Sequence, residues 1–569
     1  MVAPLIEGFA PSPTSAAALR LATALGVTRT FGEWLERRGH SDAEAVKRFL
    51  YPRLSELTRP DQMVDRALAA QRIAKAVRDR EHIAVFGDYD CDGMTSAAIT
   101  TEMLRELGGQ VSVSIASRFD GGYGVSKAAS ERILATGARL LVTCDCGSSD
   151  HESLRFLRER GLDVIVIDHH LVPAEPLPAV AFLNPHRPEC GFAYKGMASC
   201  GLALSVGAAV RTELRQNLEL KRWLDLVAIG TIADVAPLDG DNRALVRAGL
   251  VALAAAERPG VRALLELAKL EGRPMLSAED VAFRIAPRLN APGRLGSAEP
   301  SLELMLAKDL DRARALAAQL EQASIERRAQ QEKIAAEAIE EITSQGYDQR
   351  SAIVVGREGW NHGIVGIVAG RLVERFARPV IVVGFDRGHG RGSVRGPSGA
   401  RLHDALSNSS EPLIRFGGHQ AAAGCELSID QLGAFREAFE AAVSGLPEDA
   451  QGTPCDSVPA VWLASDDAPE RVVSDLSLLE PCGPDNPQPL VLLEARVISA
   501  REVTGGHLKL ELQLDSGRRV GAFGVALGAQ AQGLSGRIVV EGRLRPDTYR
   551  GGDAVELKLS RIVSGAGAS

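Results

Sequence analysis

The sequence predicts a protein of the α/β class, with two α/β lobes joined by a long helix and a small β-barrel at the C-terminal end. Three observations carry that prediction. Between about residues 80 and 240 short apolar runs alternate with helical patterns, the signature of βαβ units and a parallel sheet. A second block of this kind opens at Ala352-Ile353-Val354-Val355, after a stretch from Asp309 to about Ile342 that is rich in Ala, Leu, Glu, Gln and Arg and almost free of breakers. From about 488 to 563 the pattern turns to strict alternation, as in Leu508-Lys509-Leu510-Glu511-Leu512-Gln513-Leu514. With 569 residues the chain is too long for one core, and about three or four domains is the prior.

In chain order, residues 1–75 read as a helical segment, with Ser41-Asp42-Ala43-Glu44 offering a cap. Residues 76–300 form the first lobe, with strands expected at 82–87, 111–116, 139–144, 163–168 and 179–183 and helices at 200–216 and 221–233. Residues 301–345 are the connecting helix, roughly 50 Å long at 1.5 Å per residue. The heptad pattern there is poor, which argues against a coiled coil. The second lobe spans 346–450, with a Gly/Pro/Asp/Ser-rich linker near 446–459. Residues 451–563 hold the barrel: five short strands with glycine-containing turns fit an OB-like fold, and a small sandwich fits nearly as well. The tail 564–569 is expected to be disordered.

Composition sets outer limits. Hydrophobic residues make up 45% and charged residues 24%, ordinary for globular protein. No apolar stretch approaches the 18 or more residues of a membrane helix, and Met1–Ser12 has no basic start followed by an apolar core. Eight scattered cysteines fit a reducing compartment, so a cytoplasmic protein without membrane partners is expected. The net charge of −8 argues weakly against a coat on nucleic acid, since global charge is not local charge. Residues 489–563 carry 11 Lys plus Arg against 8 Asp plus Glu, but only Phe523 and Tyr549 for base stacking.

Chemistry concentrates where apolar runs end. Ile83-Ala84-Val85-Phe86 leads into Gly87-Asp88-Tyr89-Asp90-Cys91-Asp92-Gly93, Leu140-Leu141-Val142-Thr143 into Cys144-Asp145-Cys146-Gly147, and Val164-Ile165-Val166-Ile167 into Asp168-His169-His170. The carboxyl ends of parallel strands are where α/β proteins place ligands. One Asp there is an ordinary helix cap, but this many in neighbouring clusters repel, at roughly 4 kcal/mol per pair for ~4 Å and an effective dielectric near 20. Cations turn that repulsion into binding. Asp88, Asp90 and Asp92 alternate between two permissive glycines, and Asp145, Asp168, His169 and His170 join them if the strands are neighbours. Asp234, after the apolar run Ile229–Ala233, is a further candidate. Oxygen-rich ligation with one or two imidazoles favours Mn²⁺ or Mg²⁺ over zinc, and Cys144 and Cys146 lack a second pair to complete a zinc site. So many carboxylates exceed the needs of one ion and suggest two, whose usual chemistry is phosphate-ester hydrolysis.

The second lobe offers anion-binding elements. Glu358-Gly359-Trp360-Asn361-His362-Gly363 precedes the helix expected at Ile364–Phe376, and helix N-termini with nearby glycines bind anions. Gly390-Arg391-Gly392-Ser393-Val394-Arg395-Gly396 adds guanidinium and hydroxyl groups, and Phe416-Gly417-Gly418-His419 another glycine turn with an imidazole.

Taken in order, Gly-Asp-Tyr-Asp-Cys-Asp-Gly, Thr-Cys-Asp-Cys-Gly, Asp168-His169-His170 and Gly-Thr-Ile-Ala-Asp-Val resemble the four motifs of the DHH phosphoesterase superfamily, and within it the RecJ-type single-strand-specific exonucleases. The resemblance extends from Phe49-Leu50-Tyr51-Pro52 through Arg118 and Gly122-Tyr123-Gly124 to Ala286-Pro287-Arg288-Leu289-Asn290-Ala291-Pro292-Gly293-Arg294 and the DHH-associated second lobe. It implies Asp88, Asp90, Asp92, Asp145, His169 and Asp234 as ligands of two Mn²⁺ or Mg²⁺ ions, with His170 beside the scissile phosphate and His170, Asp90, Asp145 and His169 catalytic. It also implies a 5′-phosphate pocket of Arg118, Ser393 and Arg395, with Arg288, Asn290, Arg294, Gly417, Gly418 and His419 contacting DNA. Asn361 is a departure where the family pattern has a Trp-His pair. The function so implied is 5′-to-3′ hydrolysis of single-stranded DNA to 5′-mononucleotides in repair and recombination, with a single-strand-binding protein and a helicase as partners. Rival readings are a DHH phosphodiesterase for short oligoribonucleotides or cyclic dinucleotides, and a DHH-derived replication scaffold without catalysis. Members of the first usually lack the N-terminal segment and barrel, and those of the second tend to lose the acidic set.

Overall fold

Five strands assemble into one parallel sheet: β1 His82–Gly87, β2 Gln110–Ile115, β3 Leu140–Cys144, β4 Asp163–Ile167 and β5 Ala181–Leu183, in the order β2-β1-β3-β4-β5. The structure, a computed structural model, describes residues 14–119, 123–418, 422–447, 450, 460–547 and 549–565. The strands match the predicted positions to within two residues; β1, β3, β4 and β5 are apolar runs buried almost throughout, whereas the edge strand β2, Gln-Val-Ser-Val-Ser-Ile, alternates apolar with polar residues and is mostly half-buried. The helices Ser199–Leu214 and Leu224–Ala233 fall where expected, the second preceded by a 3₁₀ turn at Leu220–Trp223.

Register positions the chemistry. Gly87 pairs with Cys144, and Cys144 with Ile167, so Asp88, Asp145 and Asp168 are the next residues on three adjacent strands. The ladder carries on through them: Asp88 N–H donates to Cys144 O (3.1 Å), Asp145 N–H to Ile167 O (2.8 Å) and Asp168 N–H to Leu183 O (3.0 Å).

The predicted connecting helix runs Leu310–Ser344, 35 residues and ~52 Å. Its first half packs on the helix Pro259–Ala268, and Ile334, Ala335, Ala338 and Ile342 enter the core of the second lobe. That lobe is a mixed sheet, β6 Ile353–Glu358, β7 Val380–Asp386, β8 His389–Arg395, β9 Arg415–Gly418 and β10 Ala422–Ser428, in the order β6-β7-β8-β10-β9. Only β6 and β7 are parallel. The helix Val365–Phe376 shares one apolar cluster with the sheet, and Leu402–Asn408 and Leu432–Ser444 share another.

The chain divides into two compact units, and the N-terminal region does not stand alone. The helix Arg66–Arg78 belongs with both lobes in the larger unit, whereas the helices Ala16–Leu25, Arg29–Arg37 and Ala43–Leu50 group with Pro237–Arg247 and the barrel. The reason is apolar surface: Phe31, Trp34, Leu35, Val46 and Leu50 share one core with Val461, Leu479, Leu508 and Leu510. Polar groups tie the same unit together. Thr28 N–H donates to Asp475 Oδ2 (2.7 Å), and the Arg243 guanidinium donates to Phe49 O, Leu479 O, Leu478 O and Pro481 O while lying 4.2 Å from the Phe49 ring.

The barrel comprises β11 Ala460–Trp462, β12 Leu490–Val503, β13 His507–Gln513, β14 Arg519–Gly524, β15 Arg537–Pro546 and β16 Val555–Gly565. Strands β12-β13-β14-β16-β15 close on themselves through the β12–β15 pair, and β11 adds to β12 in parallel. Strand β12 serves both neighbours by bending at a register shift between Val497 and Ser499. Strand β16 extends two residues into the predicted tail, and Ala566–Ser569 lie outside the described residues, as does most of the predicted linker. The described cysteines are all free, and no helix among the described residues is long and apolar enough to cross a membrane.

Candidate metal centre and phosphate pocket

Each acidic side chain is aimed by a specific local device. Asp90 caps the helix Cys91–Glu106, its Oδ1 accepting from Asp92 N–H (3.0 Å) and Gly93 N–H (3.2 Å), so the cap reading and the site reading both hold for this residue. A β-carbon on Gly93 would lie 2.5 Å from Asp88 O, so only glycine lets the helix start this close to the end of β1. Asp92 is fully buried and accepts from Ser199 N–H (2.7 Å) and Cys200 N–H (2.9 Å) at the N-terminus of the helix Ser199–Leu214. Asp145 turns away from β3 with φ of 64°, a left-handed conformation uncommon outside glycine, and accepts from Ser199 Oγ (3.0 Å). Asp234 reaches the cluster from the helix Leu224–Ala233. That helix approaches through Gly230, where a β-carbon would come within 2.9 Å of Asp92 Oδ1.

The six predicted ligands fall into two sets: Asp88, Asp90 and Asp145, and Asp92, His169 and Asp234. Within each, one donor atom per residue lies within 4.8 Å of the others. The sets meet where His169 Nε2 sits 3.3 Å from Asp145 Oδ1, 3.7 Å from Asp234 Oδ2 and 4.0 Å from Asp92 Oδ2. Burial and the neighbouring carboxylates hold Asp88 and Asp145 well above the usual range, and burial with Asp92 and Asp90 pushes Asp234 up to about 8. His169 Nε2 and Asp88 Oδ1 are buried without a hydrogen-bond partner. Repelling carboxylates around an orphaned imidazole nitrogen fit divalent cations, and the oxygen-rich donors suit Mn²⁺ or Mg²⁺.

Asp168 behaves differently. It accepts from Ser148 N–H (3.1 Å), His169 N–H (2.8 Å) and the His170 ring Nδ1 (2.7 Å). Burial alone would raise it, but these bonds and the imidazoles bring it down to about 2, and Asp168 in turn lifts His170 to about 9 against burial. Asp168 therefore orients the His170 ring through Nδ1 and favours its protonated form. Tyr123 Oη, 3.0 Å from His170 Nδ1 and 3.2 Å from Asp145 O, braces the same ring.

Beside this cluster the predicted phosphate residues converge. Arg118, Arg294, His362, Gly363, Gly366, Ile367, Ser393 and Arg395 line one compartment of about 200 Å³. The Arg118 guanidinium lies 3.8 Å from the ring of Tyr89, the residue between Asp88 and Asp90, and its Nε is buried without a partner. Burial and Arg118 lower the Arg294 and Arg395 pKa values, Arg294 to about 10. Arg294 donates to Gly363 O and Arg395 to Val394 O; among the described residues none of the three forms an ion pair. Asn361 serves the loop, its Oδ1 accepting from Gly363 N–H (2.8 Å), and leaves His362 to face the pocket with Nε2 buried and unpartnered.

The remaining predicted contacts lie elsewhere. Arg288 is engaged by Glu321 (2.6 Å) and lines neither compartment of the pocket. Asn290 has a buried, unpartnered Oδ1. Gly417 and Gly418 pair in strand β9 with Gly424 and Ala423, and His419 lies outside the described residues. On the barrel, Tyr549 is 92% exposed with Lys509 Nζ 5.5 Å from its ring, while Arg518, Arg519, Arg537, Arg545, Arg550 and Arg561 are drawn into ion pairs that thin the basic surplus. Tyr89 and Tyr123 lie in segments the sequence singles out, but their roles beside Arg118 and His170 appear only in the fold, and Ser199 carries no charge that sequence reading would select. For Ser199 the available cue is a serine just before the Ala/Leu-rich run at 200–210.

Family models match the three parts of the chain: the DHH family N-terminal domain over residues 82–231, the DHHA1 domain over 349–445 and the RecJ OB domain over 461–561. The single-stranded-DNA-specific exonuclease RecJ of Bacillus subtilis is 37% identical over 504 residues, covering 87% of this chain, which spans 63% of that relative's length. RecJ of Dickeya dadantii is 36% identical over 472 residues, covering 78% of this chain and 80% of the relative. Among solved structures, RecJ of Thermus thermophilus in complex with Mn²⁺ superposes with a TM-score of 0.81 at 32% identity, over 97% of this chain and 78% of that one. With the motifs, both lobes and the barrel all matched, the chain belongs to the RecJ family of the DHH superfamily.

Proposed function

We propose that this chain is a metal-dependent exonuclease that degrades single-stranded DNA from a 5′-phosphorylated end, in the cytoplasm and in the service of repair and recombination. The observation that carries the reading is the adjacency of two devices: a cluster of repelling carboxylates built for divalent cations, and a pocket of guanidiniums without carboxylate partners, linked through Tyr89. A terminal phosphate dianion suits Arg118, Arg294, Ser393 and Arg395, since guanidiniums bind phosphate with paired hydrogen bonds. Anchoring that end sets which phosphodiester reaches the acidic cluster and hence the polarity of degradation.

Asp88, Asp90 and Asp145 would hold one ion and Asp92, His169 and Asp234 the other. Bound there, Mn²⁺ or Mg²⁺ supplies charge neutralisation at phosphorus and lowers the pKa of water. The chain's own residues do the rest. Ser199 and the backbone N–H groups of the helix at Ser199–Leu214 orient Asp145 and Asp92. His170, oriented by Asp168 and braced by Tyr123, is placed to meet the charge that develops on the scissile phosphate. Water adds at phosphorus, the bond to the 3′-oxygen of the terminal nucleotide breaks, and that oxygen takes the proton, releasing a 5′-mononucleotide. The barrel, with Tyr549 exposed and Lys509 half-buried beside its ring, is proposed to bind single-stranded DNA, with a helicase and a single-strand-binding protein as partners.

The test compares 5′-phosphorylated and 5′-hydroxyl single strands. Wild type should prefer the phosphorylated end by roughly tenfold or more, and Arg395→Ala should erase the preference while leaving hydroxyl ends unaffected. Equal rates on both ends in wild type would remove the pocket from the reading.

A further inference from the structure

The phosphate pocket has a second compartment that one terminal phosphate leaves unused. It also measures about 200 Å³ and shares Arg118, His362 and Ser393 with the first, but its other walls are Tyr89, Val365, Arg391, Gly392, Arg415 and Glu426. Arg391 and Arg415, on β8 and β9, converge on the single carboxylate of Glu426 at 3.6 and 2.7 Å. Arg391 is also fixed by donating to Arg118 O (3.2 Å), which joins the two compartments through backbone as well as through shared side chains.

The charges exceed what a monophosphate neutralises. Among the described residues, three guanidiniums of the first compartment form no ion pair and two in the second share one carboxylate, so positive charge is in excess even with Asp88 and Asp90 acting on Arg118 and Arg294 from the acidic cluster. A terminal monophosphate brings roughly −1.5 to −2 at neutral pH, and each further phosphate adds at least roughly one more. Burial and the charges of Arg391 and Arg118 hold the His362 imidazole below its ordinary pKa, so it stands between the compartments as a neutral group with a buried, unpartnered nitrogen.

We infer that this pocket is a double phosphate site that accepts 5′-triphosphorylated single strands, the α-phosphate seated by Arg118, Ser393 and Arg395 and the outer phosphates by Arg391 and Arg415. The inference rests on the proposed 5′-end pocket and extends its substrate class. The chemistry of the first turnover changes in one respect only. Water adds to the phosphorus that joins the first and second nucleotides, its hydroxyl staying on that phosphorus and its hydrogen going to the 3′-oxygen of the first. The broken bond is the one between that phosphorus and the 3′-oxygen. The first product is therefore a nucleoside 5′-triphosphate, and every later one a mononucleotide.

The experiment uses the full chain with Mn²⁺ and one sequence of single-stranded DNA bearing a 5′-hydroxyl, a 5′-monophosphate or a 5′-triphosphate, the last labelled on its γ-phosphate. Triphosphate ends should react within about threefold of monophosphate ends, with label released as nucleoside triphosphate, and Arg391→Ala/Arg415→Ala should slow triphosphate ends by roughly tenfold and monophosphate ends by less than about twofold. With free Mn²⁺ buffered at a constant level, inorganic tripolyphosphate should compete with 5′-phosphorylated strands more strongly than inorganic phosphate does, a readout independent of any variant's folding. Triphosphate ends reacting no faster than hydroxyl ends while monophosphate ends are preferred would overturn this inference alone, as would label leaving as pyrophosphate. Equal losses on mono- and triphosphate ends in the double variant would assign Arg391 and Arg415 to an internal phosphate of the strand and overturn it too. Equal rates for hydroxyl and monophosphate ends would sink the 5′-pocket reading and this extension with it.

Discussion

Replacing Asp234 with Asn should stabilise the metal-free protein while destroying its use of metal. Asp234 is largely enclosed, and burial together with the charges of Asp92 and Asp90 raises its pKa from the ordinary 3.8 to about 8. A folded-state value above the unfolded one means that the protonated form is the stable one. The associated stability is fully present below about pH 4 and is lost as pH rises through about 8. At 1.36 kcal/mol per unit, ionisation at Asp234 opposes folding of the metal-free state by on the order of 3–5 kcal/mol near pH 8. Thermal melts of chelator-treated wild type and Asp234→Asn between pH 4.5 and 8.5 would measure this directly. The two should nearly coincide at the acid end and diverge upward in pH, the variant melting several degrees higher at pH 8. Added Mn²⁺ should reverse the order, because only wild type gains the full binding free energy. Parallel curves across the range would refute the claim that burial and the neighbouring carboxylates penalise the Asp234 charge in the metal-free protein.

Three further outcomes follow from named contacts. Asp145→Ala and His169→Ala should each abolish nuclease activity with an unchanged far-ultraviolet circular dichroism spectrum; robust Mn²⁺-dependent digestion by either would remove that residue from the site. Tyr89→Leu takes away the ring beneath Arg118, a cation–π contact of about 1–2 kcal/mol when desolvated, so KM for phosphorylated ends should rise up to roughly tenfold with kcat little changed. Arg243→Met strips the donor from four backbone carbonyls within the N-terminal helix and barrel unit, and denaturant unfolding should report about 3 kcal/mol lost there, with no change in Mn²⁺ affinity.

The catalytic lobe was legible because its signals are local. An apolar run that ends in Asp is a buried strand delivering a carboxylate, and Asp88, Asp145 and Asp168 follow that rule on neighbouring strands in matched register. What the sequence could not separate was their roles: Asp168 looks like another ligand, yet in the fold its oxygens are consumed by backbone N–H groups and His170. Arg288 and Arg294 read alike in one motif, and only packing shows Glu321 neutralising the first while the second stays unpaired. The grouping of the N-terminal helices with a barrel more than 400 residues away was not legible either, because amphipathic faces such as that of Phe31, Trp34 and Leu35 announce burial without naming a partner. The double compartment shares this character, since Arg391 and Arg415 meet only through antiparallel pairing of β8, β10 and β9.

The central claim is that a 5′ phosphate is gripped while the acidic cluster hydrolyses the next bond. It is tested most directly by digesting long single-stranded DNA, the same sequence as a blunt duplex, and a dinucleotide RNA with Mn²⁺, each labelled separately at its two ends. The account predicts immediate release of 5′ label as mononucleotide from the single strand, with 3′ label appearing last and the duplex resistant. Release of 3′ label first, equal digestion of the duplex, or cleavage confined to the dinucleotide would contradict it.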